Sequence, residues 1–142
     1  MGVRSLAAGG AYFAVIFASG FALDVVRVMI TAPLIGETPA VLLEIPIILA
    51  ASWFAAGWCI RRFGVRSDAA DRLGMGFTAF ALTLMAELGV SIVLFGRTLS
   101  EHLAIYGDFP GLAGLAAQIL FALIPFIQAR RGSAKAWARP AR

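Results

Sequence analysis

The sequence predicts an all-α, polytopic membrane protein whose four transmembrane helices form an antiparallel bundle. Three observations carry that expectation. Of the 142 residues, 61% are apolar and only 14% are charged, which is outside the range of a soluble globule. The apolar residues fall into four runs, about 6–30, 39–60, 73–95 and 111–128. At about 1.5 Å per residue each run crosses most or all of a hydrocarbon core about 30 Å thick. The basic residues gather between the runs in a way that orients them. Arg4 precedes the first run, Arg61, Arg62, Arg66 and Arg72 lie between the second and third, and Arg130, Arg131, Lys135, Arg139 and Arg142 follow the fourth. The other two connections hold no Lys or Arg apart from Arg97. By the positive-inside rule both termini and the middle loop are cytoplasmic.

These runs occupy nearly the whole chain, so residues 1–142 read as a single membrane domain ending in a basic tail, 129–142. The net charge of +4 is not a nucleic-acid signature, because it sits at membrane edges, where it attracts anionic lipid headgroups. An Arg followed by an apolar run also resembles a cleaved signal peptide, with Ala18 and Gly20, or Gly20 and Ala22, as mimics of a cleavage site. The run continues past them to Ile30, and removing it leaves an odd number of spans, so a retained helix is expected.

In the first span Gly10, Ala14, Ala18 and Ala22 form a ridge of small side chains at four-residue spacing, expected to be a packing face. Asp24 and Arg27, three apart, lie on one side of the helix. Either they pair, or they mark the outer helix end with Arg27 snorkelling to the interface. Pro33, Gly36 and Pro39 are expected to make a short outer turn, with Thr38 capping a helix that begins at Pro39.

The second span carries the residue most in need of explanation. Glu44 lies in apolar sequence, where a carboxyl group costs several kcal/mol unless protonated, paired or wetted. A helix beginning only at Pro46 is too short to span, so Glu44 is carried into the membrane. Pro46 leaves the carbonyl of Leu42 without its helical donor and favours a kink beside the acid, an arrangement seen at membrane sites and in purely structural helices alike. Ile48, Ala51, Ala55 and Cys59 continue the face of Glu44. Cys59, the only cysteine, reads as a packing residue. Asp68 and Asp71 are solvated or cap the third helix.

The third span sets Thr83, Glu87 and Ser91 on one face, the hydroxyls bonding either Glu87 or their own helix carbonyls. Leu99, Leu103 and Tyr106 suggest a short helix at the interface, and His102, the only histidine, is expected to be solvent-exposed. The fourth span carries Gln118 on the face of Gly111 and Gly114, with Ala122 and Pro125 further along it. The tail is expected to be irregular.

Asp24, Arg27, Glu44, Glu87 and Gln118 all fall in the outer third of their helices and are expected to form one polar layer, with Pro46, Thr83 and Ser91 supporting it. Three acids face one arginine. An acid left without Arg27 must be protonated, hydrated or paired with a ligand, which makes Glu44 or Glu87 a candidate proton carrier. No HExxH, GxSxG, P-loop, GxGxxG or cysteine pair is present, and no catalytic residue, metal site or cofactor is expected.

Arg27, Pro33, Gly36, Glu44, Pro46, Ser52 and Trp53 form a pattern that resembles small uncharacterised four-helix inner-membrane proteins of proteobacteria. The resemblance covers about the first half of the chain and implies a bacterial inner-membrane location, without an activity. The likeness to small bacterial multidrug exporters is architectural only, because their typical mid-helix glutamate falls where this chain has Val15 to Ser19. The expected role is a non-enzymatic accessory or assembly subunit. The alternative is a proton-linked transporter of small solutes, working as a homo-oligomer because four short helices enclose little space.

Overall fold

The computed structural model describes residues 2–137, with side chains described through Arg131. Helices account for nearly all of these residues, and no strand occurs among them. Four helices are long and apolar enough to cross a membrane: Val3–Ile35, Glu37–Phe63, Ala69–Val93 and Phe109–Arg131. Element by element, α1 spans Val3–Val26, a π turn Arg27–Thr31, α2 Ala32–Ile35, α3 Glu37–Phe63, α4 Ala69–Val93, α5 Leu99–Ala104, a 3-10 turn Ile105–Gly107, and α6 Phe109–Trp137.

The first helix does not break at Pro33. The π turn has already opened the i→i−4 ladder, since the amide of Ala32 reaches back to the carbonyl of Arg27, and Pro33 enters just after it. The turn between the first two long helices is Gly36 alone, at φ 89°, a backbone conformation that side chains disfavour. α3 therefore starts at Glu37, and the cap expected at Thr38 is not formed, because Thr38 and Pro39 lie inside the first turn. Pro39 is tolerated there because amides of the first turn have no intrahelical acceptor. Asp68 does cap α4, accepting the amide of Asp71 at 2.9 Å. Asp71 itself is buried and accepts the Gly2 amide and the Ser5 hydroxyl, each at 2.9 Å, tying the start of α1 to α4. α6 runs on to Trp137, so the tail expected to be irregular from residue 129 begins as helix, while Arg139 and Arg142 lie outside the described residues.

α1 packs on α3 and α4, and α6 packs on the same two helices, which leaves α1 facing α6 across the bundle. Tyr12 bridges that diagonal. Pro125 cannot donate to the carbonyl of Phe121, and the Tyr12 hydroxyl donates to it instead at 2.9 Å, with the two aromatic rings edge to face at 5.5 Å. Ala8, Ile16, Ala55, Ala56, Cys59, Met75, Ala79 and Ile124 fill the space around this bridge.

The ridge of Gly10, Ala14, Ala18 and Ala22 is not the packing face of α1. Ala14, Ala18 and Ala22 are exposed, and the buried side is Ser5, Ala8, Gly9, Tyr12 and Ile16. Close approach is made by Gly9, one residue off the ridge, against Met75 and Thr78 of α4, and by Gly76 against Ala122 of α6. A Cβ on Gly76 falls 1.8 Å from the Ala122 carbonyl oxygen, so only glycine lets these backbones meet.

Candidate functional site

Polar groups collect at the end of the bundle where α1 gives way to the π turn. Arg27, its first residue, shares its guanidinium among three acids. Nη2 donates to Asp24 Oδ1 at 2.5 Å, Nε donates to Glu44 Oε2 at 3.0 Å, and Nη1 donates to Glu37 Oε1. Arg27 and Glu44 side chains are only 20% and 19% exposed, whereas Asp24 and Glu37 are 55% and 52% exposed. The Arg27–Glu44 bond is thus the inner clasp between α1 and α3, and the other two acids form an open rim. Three carboxylates against one guanidinium leave the group net negative when all are ionised.

A second group lies on α4, α5 and α6. Gln118 Nε2 donates to Glu87 Oε1 at 2.5 Å, and the Tyr106 hydroxyl donates to Glu87 Oε2 at a long 3.5 Å. Tyr106, in the 3-10 turn, stacks edge to face on His102 with ring centres 5.8 Å apart. Burial, reinforced by the neighbouring Glu87 carboxylate, holds the Tyr106 phenol above the usual tyrosine range. Glu87 lies within electrostatic reach of His102 and of Asp24, but among the described residues no arginine or lysine bonds it. Three side-chain atoms here are buried without a hydrogen-bond partner: Ser91 Oγ, His102 Nδ1 and Gln118 Oε1.

The expected polar layer is therefore two groups, one centred on Arg27 and one on Glu87. Asp24 and Arg27 do pair. Thr83 bonds back to the carbonyl of Ala79 at 3.0 Å rather than to Glu87, and Ser91 bonds neither Glu87 nor its own helix. Pro46 follows Glu44 by two residues within α3, about half a turn further along. His102, expected in solvent, is buried, the one buried residue of α5, with its ring edge to face against Tyr106. Glu37 is a partner the sequence reading passed over. Its signal was available, since an acid directly after Gly36 falls in the first turn of α3, where negative charge is favoured.

The other end of the bundle holds an open pocket of about 680 Å³ lined by Gly2, Val3, Arg4, Gly64, Arg66, Asp68 and Asp71. Among the described residues no group of three or more His, Cys, Asp or Glu is placed to hold a metal ion. Cys59 is a buried free thiol in the core. The molecule is thus an all-helical chain with four helices apt to cross a membrane and two interhelical polar groups near one end. Compared with known proteins, it matches no family model, no curated protein and no solved structure.

Proposed function

We propose that this chain is a multi-pass protein of a bacterial inner membrane, its four helices antiparallel and both termini cytoplasmic, acting as a non-enzymatic accessory or assembly subunit. The observation that carries this reading is the outward face of α1. In lipid an apolar surface needs no cover, but a continuous stripe of small residues, Ala14, Ala18 and Ala22, lets another helix approach closely and gain dispersion contacts that lipid tails do not match. Half-exposed Asp24, late in α1, and Glu37, at the start of α3, add negative charge at that end of the bundle, suited to a partner bearing Lys or Arg. The orientation rests on Arg4, Arg61, Arg62, Arg66, Arg130 and Arg131, all exposed and remote from the Arg27 group, where anionic headgroups would meet them.

Mass and composition after gentle extraction from the native membrane test the reading. A stoichiometric complex with a second protein is expected, and Ala14→Leu with Ala18→Leu should release the partner while leaving the chain folded. Persistence of the complex in that variant contradicts the proposal.

A second reading has its own support. Glu87 sits inside the bundle end with no cationic side chain among the described residues bonded to it, which suits a proton-linked transporter of small solutes built as a homo-oligomer. Under that reading Glu87→Gln folds and loses flux in liposomes, and the extracted particle contains this chain alone.

A further inference from the structure

We propose that the Glu87 group is a binding site for a small monovalent cation, an alkali-metal ion or a primary-ammonium head. Ser91 and His102 are 4% and 8% exposed, and each has a polar atom with no partner. Gln118 Oε1, the third such atom, belongs to the side chain whose other end already bonds Glu87. Native interiors leave few polar atoms unpaired, because each costs about 1–3 kcal/mol. All three lie around one carboxylate: Ser91 one helical turn from Glu87 on the same face of α4, Gln118 bonded to it from α6, and His102 within its electrostatic reach from α5.

The chemistry of these atoms selects the ligand. A side-chain amide oxygen only accepts, a carboxylate only accepts, a hydroxyl can accept, and the imidazole Nδ1 accepts when the ring proton sits on Nε2. A shell of acceptors around one negative charge fits a cation and repels an anion. The charge count then limits the cation. Glu87 is the only acid bonded within the group. Asp24 is within reach but already paired with Arg27, and Tyr106 and His102 complete the titratable groups facing Glu87. Calcium sites gather several carboxylates, magnesium keeps much of its water, which a buried group with one carboxylate does not favour, and transition metals require more His, Cys, Asp or Glu than any group among the described residues assembles. The neighbouring Arg27 group shows the same requirement met internally, for there an arginine side chain supplies the positive charge.

Thermal unfolding of the purified full chain in zwitterionic nanodiscs tests this, with NaCl, KCl or methylammonium chloride titrated against choline chloride at constant ionic strength. A saturable rise in melting temperature with at least one of the first three, absent with choline, is expected, and the ion that acts names the source. Glu87→Gln should remove the response. Ser91→Ala, which deletes only an unpaired hydroxyl and leaves the fold intact, should raise the half-saturating concentration about tenfold, the scale of one lost contact to a charged group. Identical curves in all four salts mean that water alone fills the site, and they overturn the proposal. A response retained in both variants places the ion elsewhere and overturns it too.

Discussion

The Arg27 and Glu87 groups lie at the same end of one bundle and solve the same problem differently. Each holds a glutamate toward one end of a helix apolar enough to cross a membrane. Glu44 meets an arginine that the chain supplies three residues beyond Asp24, and the ion pair closes α1 onto α3. Glu87 meets an amide and a distant phenol, and three nearby polar atoms remain without partners. A paired acid of the first kind fastens helices. An acid of the second kind is left with a charge that a proton, water or an external cation must balance, which is why the proposed cation site is placed there.

The contrast can be broken by removing the arginine. Arg27→Ala leaves the mostly buried Glu44 uncompensated, and a loss of about 3 kcal/mol in unfolding free energy is expected by denaturant titration in mixed micelles, the scale for orphaning one member of a buried pair. A change below about 1 kcal/mol makes the cluster a surface ion pair like any other. Glu37→Gln in the same assay removes a half-exposed partner and should cost no more than about 1 kcal/mol. Glu87→Gln is expected to stay within about 1 kcal/mol of the parent in the absence of added cations, because the new amide can still bond Gln118.

The smallest effect concerns Tyr106, whose phenol is held above its ordinary range by burial and by Glu87. A raised pKa stabilises the fold with the group neutral. That contribution is complete below the unfolded value, about 10, and is lost as pH rises through the folded one. A shallow alkaline loss of stability beginning near pH 10 follows, and Tyr106→Phe should reduce it. An unchanged alkaline limb in that variant would show that Tyr106 does not face Glu87.

What the sequence revealed and what it hid have separate physical causes. Hydropathy marks the spans well, because crossing hydrocarbon demands long apolar runs whatever the fold, and the three-residue spacing of Asp24 and Arg27 is enough to pair them. Helix rotation is a different matter. A helix apolar enough to cross a membrane is apolar on both faces, so the ridge of Gly10, Ala14, Ala18 and Ala22 resembles a core stripe although Gly9 and Tyr12 form the buried face. The π turn has no composition signal and shifts every residue after Arg27, which moved the break from Pro33 to Gly36. His102 was placed in solvent because a connection is usually exposed, whereas α5 folds it back onto the bundle. The single expected layer became two groups because residue depth along a helix can be counted from the sequence and direction around it cannot.

The measurement that tests the two-group account most directly is a pair of double-mutant cycles on unfolding free energy, Arg27→Ala with Glu44→Gln and Arg27→Ala with Glu87→Gln. The account expects a coupling of at least about 1 kcal/mol for the first pair and none beyond about 0.5 kcal/mol for the second. Equal coupling in both cycles would mean that Arg27 serves Glu87 as it serves Glu44, and the distinction between a fastened acid and an unpaired one would be gone.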